Sequence, residues 1–387
     1  MPSALELLAA DESRVKSINS RIGFNAARNT FASTDFVTFP AKSGLSFATS
    51  NYLVTFGLGT PKNDLSLVFD TGSSLTWTQC PTDLIFDPSK SSTYSNISCR
   101  TPQCNKLKSA TGITPDCIAG GTTCIYRTLY GDNSSSVGFF AKDTLTLTPT
   151  DVVPNFFFGC GQNNQGRFGQ TAGVLGLGRD PLSILQQTSK QYGQVFSYCL
   201  PSKASKTGYL TFGKSSVSNS VQYTPFSTSP DKTFYSIDIL AMYVGGQKLQ
   251  ISPTVFSSTP LSIIDSGTII TRLPLPAYTA LRDAFRKQMT SYPLARPVSI
   301  FDTCYDLSIY GTMKIPTISI VFGGNTKIDL DDSGVVYVPN SNRVCLAFAP
   351  NSDPSDALIF GNVQQKTMQV VYDVAGGKLG FAAKGCA

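Results

Sequence analysis

The chain has 387 residues, a net charge of +6, and 41% apolar against 14% charged residues. That is enough apolar sequence to bury a large core and too little charge for a disordered tail. It contains no histidine, which excludes Ser-His-Asp and Cys-His hydrolases and His-ligated zinc and leaves acid–base chemistry mainly to carboxylates.

Residues 4–18 predict a helix. Leu5, Leu8, Val15 and Ile18 recur at helical spacing, with Asp11, Glu12, Arg14 and Lys16 on the polar side. Ser13 and Lys16 have the S-x-x-K spacing of a Ser-Lys dyad, but stand alone in a polar segment. Residues 19–50 are polar and irregular and read as a linker. Met1-Pro2-Ser3 leads into polar sequence without a signal-peptide pattern, and no apolar run reaches the length of a membrane span. The basic residues are spread thinly and form no clear nucleic-acid site.

From Asn51 the texture changes to short β-type runs separated by Gly, Pro, Asn and Ser: 52–58, 65–69, 144–147, 155–158, 209–212 and 235–243. Two helices are predicted among them. One spans Leu182–Tyr192 after Pro181. The other follows Pro276, with Tyr278, Leu281, Phe285 and Met289 on one face. The ten cysteines are even in number and lack any C-x-x-C pair, so five disulfides in an oxidising compartment fit better than a zinc ribbon. Sequons at Asn96 and Asn133 agree with that compartment and make both glycosylation candidates.

An internal repeat organises the chain. Val68-Phe-Asp-Thr-Gly-Ser73 resembles Ile263-Ile-Asp-Ser-Gly-Thr268. About a hundred residues after each comes an apolar-apolar-Gly element, Val174-Leu-Gly176 and Ile359-Phe-Gly361. Two homologous β lobes are implied. An apolar strand ending in Asp-Thr/Ser-Gly fixes its carboxylate at a turn, the Gly permits close backbone approach, and the hydroxyl residue can reach the other copy. Two such copies set two carboxylates side by side, where one proton is shared. One carboxylate can then take a proton from water while the other protonates a carbonyl oxygen. Asp332-Ser-Gly334 also reads D-S-G, but it follows Asp329 and Asp331 instead of an apolar strand and reads as a surface turn.

Residues 51–387 resemble the pepsin-type aspartic proteases, in particular the plant nepenthesin-like branch close to the chloroplast-nucleoid DNA-binding group. The motifs are Phe69-Asp-Thr-Gly-Ser-Ser74 with Trp77, Tyr130-Gly-Asp132, Gly176-Leu-Gly178, Ile264-Asp-Ser-Gly-Thr268, Phe301-Asp-Thr-Cys-Tyr305, Phe360-Gly-Asn362 and Cys386. The resemblance implies an all-β, bilobal pepsin-like fold: two homologous β lobes with an active-site cleft between them. The lobes are expected at 46–225, with a cysteine-rich insertion at 99–124, and at 226–387, after a propeptide and linker at 1–45.

By the same resemblance Asp70 and Asp265 would bind the attacking water, and Gly72 and Gly267 complete their turns. Ser73 and Thr268 would support the carboxylates, and Thr71 and Ser266 would interlock beneath them. Tyr130, Gly131 and Asp132 would form the flap, with the Trp77 indole N–H bonded to it. Asp132 at the tip would either meet a basic substrate side chain or only order its own turn. The implied disulfides are Cys80–Cys160, Cys99–Cys124, Cys104–Cys117, Cys199–Cys386 and Cys304–Cys345.

Two departures stand out. The loop after Cys80 runs directly through Pro81-Thr-Asp83, without the family's further cysteines, and Asn133 replaces the usual flap Gly. The expected activity is an acid-pH aspartic endopeptidase without cofactor or metal, acting as a monomer on peptide or protein substrates. Its own propeptide would serve as intramolecular inhibitor, through one of Arg14, Lys16, Arg21, Arg28 or Lys42. The alternatives are a non-catalytic relative like the plant xylanase-inhibitor proteins, or a nucleoid-associated DNA-binding protease. A secreted or vacuolar location fits the cysteines and sequons; a chloroplast location fits the nucleoid-group resemblance.

Overall fold

The computed structural model describes residues 3–21, 36–80, 85–130, 134–166, 168, 170–214, 218, 220–228, 233–310, 312–340 and 342–386. The expected short loop at 81–83 lies outside them, as do Asn133 and the flap residues Gly131 and Asp132.

The first helix, α1, spans Ala4–Arg21. Its buried face is Leu8, Asp11, Val15 and Ile18, the three- and four-residue steps of one helical stripe. Leu5, expected on that face, is 53% exposed, in the turn before the stripe begins. Leu8 packs with Ile269, Ile270 and Val363, and Val15 and Ile18 pack with Phe234, Ile263 and Ile359. A helix so mounted derives its stability from tertiary burial more than from intrinsic propensity.

The expected linker is partly a strand. In β1, Phe36–Ser43, burial alternates so that Val37, Phe39 and Ala41 point inward, the period of a half-buried strand. It pairs antiparallel along Thr207–Gly213, with Val37 opposite Phe212, and at its end with β2, Tyr52–Leu58. Six antiparallel strands run in the order Gln222–Pro225, Lys378–Ala382, Gln369–Asp373, Val195–Cys199, Thr207–Gly213 and β1. This sheet draws on both halves of the sequence, and Phe196 and Tyr372 stack within it, ring centroids 4.3 Å apart.

The repeat is visible in the strand pairing. β3, Asn63–Asp70, lies parallel to Gly173–Gly176, with Gly176 opposite Asp70. On its other side Gly173–Gly176 pairs antiparallel with β4, Trp77–Gln79. In the second half, Ser262–Ile264 lies parallel to Leu358–Phe360, and Thr271–Leu273 pairs antiparallel with the latter. The apolar-apolar-Gly elements are therefore the strands that hold each Asp turn from beside it.

The helix over Leu275–Gln288 buries Tyr278, Leu281 and Phe285, and Met289 follows them into the core. The helix expected at 182–192 is two short pieces, Ile184–Gln187 and Ser189–Tyr192. Between them the Thr188 hydroxyl donates to the Ile184 carbonyl at 2.8 Å, a side-chain bond that competes with the helical ladder.

Cys80–Cys160, Cys199–Cys386 and Cys304–Cys345 are joined. Within the insertion the expected pairing Cys99–Cys124 and Cys104–Cys117 is replaced by Cys99–Cys117 and Cys104–Cys124. Burial is the reason. Cys124 points inward and is fully buried, where Cys104, on the short helix Pro102–Asn105, also sits. Cys117 lies opposite Cys124 in the ladder, but it is exposed and meets the less buried Cys99. Digestion of the unreduced protein with trypsin and thermolysin is expected to yield a Cys104–Cys124 peptide. The Cys104→Ala/Cys124→Ala variant is expected to lose about 3 kcal/mol in denaturant unfolding.

Candidate active site

Asp70 ends β3, and its carbonyl accepts from the Leu177 N–H at 2.9 Å. Asp265 follows Ser262–Ile264, and its N–H donates to the Phe360 carbonyl at 3.1 Å. Each Asp is thus bonded to the element that follows its own repeat. The two turns then interlock. The Thr71 N–H donates to the Ser266 hydroxyl at 3.1 Å, and the Ser266 N–H donates to the Thr71 hydroxyl at 2.9 Å. The Ser266 hydroxyl passes its own proton to the Phe69 carbonyl at 3.1 Å. These reciprocal bonds tie backbone to backbone across the two halves and are buried, where leaving a donor unpaired is costly.

The carboxyl groups are 1% and 0% exposed. Asp70 accepts from the Ser73 hydroxyl at 2.5 Å and the Gly72 N–H at 2.9 Å. Asp265 accepts from the Thr268 hydroxyl at 2.5 Å and the Gly267 N–H at 3.0 Å. The glycines are required by space. A Cβ at Gly72 would come within 2.7 Å of the Asp265 carboxylate, and one at Gly267 within 2.5 Å of that of Asp70.

Arg14 of α1 enters between the two carboxylates. Its Nη2 lies 2.5 Å from Asp70 Oδ1 and 2.9 Å from Asp265 Oδ2, and its Nε donates to Asp265 Oδ2 at 3.0 Å and to the Thr268 hydroxyl at 3.2 Å. Of the described basic residues singled out in the N-terminal segment, this is the one that reaches the pair. Lys16 and Lys42 are exposed, Arg21 lies over the Phe234 ring, and Arg28 is outside the described residues. Burial opposes the charge on Arg14, but the two carboxylates outweigh it and hold the guanidinium protonated. Burial also pushes both carboxyls up. At Asp70 it is outweighed by Arg14 and the bonds from Ser73 and Gly72, which hold the group below its ordinary value. At Asp265 burial, aided by the charge on Asp70, prevails over Arg14 and the group lies above its ordinary value. The pair is thus split, as neighbouring carboxyls are when one keeps its proton longer.

The Trp77 indole N–H donates to the Tyr130 hydroxyl at 2.6 Å, and both rings pack against Phe168. Burial, with a contribution from the Asp70 charge, pushes the Tyr130 phenol up to about 12. Trp77 is completely buried, so its bond fixes the Tyr130 ring at the border of the cavity beside α1. Asn96 is exposed, and its side-chain oxygen accepts from the Tyr94 hydroxyl at 2.6 Å. The Asp332-Ser-Gly triplet begins a short helix capped by Asp331, with Asp332 exposed and Gly334 buried against residues 363–364.

Sequence reasoning missed two residues. Asp11, assigned to the polar side of α1, is buried, and its carboxylate accepts from the N–H groups of Ile269 and Ile270, the latter at 3.1 Å. Arg272, 3% exposed, places Nη2 3.1 Å from the same carboxylate. The signal was available: Asp11 occupies a helical stripe position between apolar Leu8 and Val15. A cavity of about 580 Å³ lies along α1 and is bordered by Asp11, Arg14, Asp70, Tyr130, Phe168 and Ile269. Among the described residues no cluster of acidic or sulfur ligands could hold a metal.

Removing the Ser266 hydroxyl leaves the buried Thr71 N–H without its acceptor. Ser266→Ala is expected to lower stability by about 1–3 kcal/mol in urea unfolding, and Thr71→Val by a similar amount. In the double variant the losses are expected to be less than additive, because both bonds belong to one interlock.

Residues 52–214 match the family described as xylanase inhibitor N-terminal, and residues 234–383 the one described as xylanase inhibitor C-terminal. An aspartyl protease family protein of Arabidopsis thaliana is 52% identical over 100% of this chain and 83% of its own length. Aspartyl protease AED1, also from Arabidopsis thaliana, is 48% identical over 98% of this chain and 82% of its own length. Aspartic proteinase nepenthesin-2 of Nepenthes gracilis is 34% identical over 97% and 84%. Among solved structures, that of edgp superposes with a TM-score of 0.76 at 21% identity, covering 92% of this chain and 96% of its own. Conglutin gamma, a basic 7S globulin from lupine seeds, superposes with a TM-score of 0.73 at 19% identity, covering 90% and 95%. These two likenesses show the fold. With relatives of this identity over almost its whole length, the chain belongs to the plant family of pepsin-type aspartic proteases and is an aspartic-type endopeptidase.

Proposed function

We propose that the chain is the zymogen of an acid-acting endopeptidase, in which Asp70 and Asp265 hydrolyse peptide bonds and α1 is an intramolecular inhibitor. The observation that carries this reading is the placement of Arg14 Nη2 within 2.9 Å of both carboxylates. That point between the two Asp side chains is where an attacking water has to bind. With the guanidinium there, neither water nor a scissile carbonyl can enter.

With α1 withdrawn, the two buried carboxyls share a proton, since like charges so close cannot both ionise. The ionised group takes a proton from the attacking water as its oxygen bonds to the carbonyl carbon. The protonated group gives its proton to the carbonyl oxygen. The resulting diol collapses as the C–N bond breaks: the amine leaves with the proton the first Asp took from water, and the other Asp takes a proton from a diol hydroxyl, which restores the shared-proton pair. Ser73, Thr268 and the Gly72 and Gly267 N–H groups hold the carboxylates in place for this.

The pH dependence of release has a definite sign. Arg14 pulls both carboxyls down while it is docked. When it leaves, its pull on Asp70, which is held below its ordinary value while docked, is lost, so proton uptake there accompanies release. Docking therefore weakens as pH falls through the range in which the dyad titrates, by up to about tenfold per pH unit for each proton taken up.

An inhibitor-like, non-catalytic role would need no working dyad, and both Asp turns are intact and mutually bonded here. For the domain limits, we take the mature N-terminal lobe to include β1, because β1 is built into the six-stranded sheet. The inhibitory segment then ends between Arg21 and Phe36, and the second lobe begins near residue 226. The five disulfides favour an oxidising secretory or vacuolar compartment. No described helix is long and apolar enough to cross a membrane.

Asp70→Asn and Asp265→Asn are each expected to lower peptide cleavage by about a thousandfold. A pepstatin-like transition-state analogue is expected to block the acid-treated wild type. Arg14→Met removes the charge that holds α1 over the dyad. Its initial cleavage rate at pH 5 is expected to exceed that of the wild-type chain at least tenfold, without the lag the wild type shows. Equal initial rates in the two chains would refute inhibition by Arg14.

A further inference from the structure

Beside the catalytic pair, α1 covers a second group of donors. The N–H groups of Ile269 and Ile270 and Nη2 of Arg272 converge on the Asp11 carboxylate. Asp11 and Arg272 are 2% and 3% exposed. Arg272 Nη1 is engaged by the Ile270 carbonyl at 3.1 Å, whereas Nη2 makes no hydrogen bond of good geometry to any described group and faces Asp11 alone. Two backbone amides and a guanidinium arm aimed at one point form an anion cradle. Backbone amides cannot swing away, and Ile269 lies four residues beyond Asp265 and borders the same cavity as Asp70 and Arg14. Ile269 thus sets one end of the cradle at the border of the cavity that a bound peptide would face.

We propose that, once α1 has left, Ile269, Ile270 and Arg272 form a carboxylate-binding subsite that selects a Glu or Asp side chain of the peptide substrate. Asp11 is the stand-in for that side chain, as Arg14 is the plug of the catalytic centre. The inference rests on the reading of α1 as a removable segment. Withdrawal of Asp11 leaves a guanidinium arm and two amide donors without an acceptor at the wall of a cleft. An acidic side chain restores the two amide bonds and the ion pair to Arg272; its amide counterpart restores at most part of them, because it carries no charge and its NH2 group faces donors. Under α1 the Asp11 carboxyl is fully desolvated, and burial raises its pKa against the pull of Arg272 and the two amides. In a cleft opened to water the burial cost falls while the donors remain.

The test uses the full chain, held in acid until its cleavage of a neutral fluorogenic peptide is constant. Glu is then walked through each position on both sides of the cut, and each peptide is compared at pH 5 with its Gln isostere. At one position kcat/KM for Glu is expected to exceed that for Gln about tenfold. In Arg272→Met that ratio is expected to fall to about one. Should Arg272→Met fail to fold, Arg272→Lys serves, where loss of the planar fork is expected to reduce the ratio several-fold. A ratio near one at every position in the wild type, with both peptides cut, overturns the subsite alone. A ratio that survives unchanged in the Arg272 variants overturns the assignment to Arg272. Failure to cut either peptide overturns the peptidase reading, and the subsite with it.

Discussion

Everything in this molecule is arranged around two carboxylates that repel one another and are buried side by side. Such a pair is stable only if each charge is hydrogen-bonded and their separation is enforced from outside. The enforcement is the reciprocal bonding of Thr71 and Ser266, which joins the two turns through backbone N–H groups that have no other acceptor. Because each turn belongs to a different half of the sequence, the repeat must assemble before either Asp has its final environment. The six-stranded sheet that draws on residues 36–43, 195–225 and 369–382 makes that assembly rigid.

The same constraint explains the glycines and the plug. Side chains at 72 and 267 would occupy the space in which the opposite carboxylate sits, so the turn sequence Asp-hydroxyl-Gly is a packing solution as much as a chemical one. A pair so tightly confined attracts a cation, and a guanidinium, planar and with donors on one edge, fits where a rounder ammonium could satisfy fewer acceptors. Arg14 uses Nε and Nη2 together against Asp265 while Nη2 also meets Asp70.

Much of this was legible in the residues. The paired Asp turns, their apolar lead-in strands and the downstream Gly elements are local patterns, and each lies where its pattern places it. What was not legible depends on long-range packing. The strand at 36–43 hid in a segment that looks polar on average, although Val37, Phe39 and Ala41 alternate with outward residues. The pairing among Cys99, Cys104, Cys117 and Cys124 depends on which face of the ladder Cys124 occupies, and spacing does not encode a face until the register is known. Asp11 escaped because a charged residue on a helix is ordinarily solvated, although its place in the stripe between Leu8 and Val15 pointed inward; Arg272, in the strand Thr271–Leu273, is known as its partner only from the packed surface.

Acid acts in opposite directions at two neighbouring points of α1. In the proposed zymogen Arg14 holds Asp70 below its ordinary value while docked, so falling pH favours departure there. At Asp11 burial is the largest influence and raises the pKa above that of a carboxyl on an exposed helix, despite Arg272, the two amides and the more distant Arg14. A group whose pKa is higher docked than free takes up a proton on docking, so falling pH favours retention there. Both contacts lie within one turn of the same helix, so the two effects of acid oppose each other there. Hydrophobic burial of Leu8, Val15 and Ile18 is indifferent to pH and holds the helix on either side of the balance. In the proposed zymogen, protonation of the dyad would loosen Arg14 without removing the helix, and complete departure would require those three side chains to leave the surface as well.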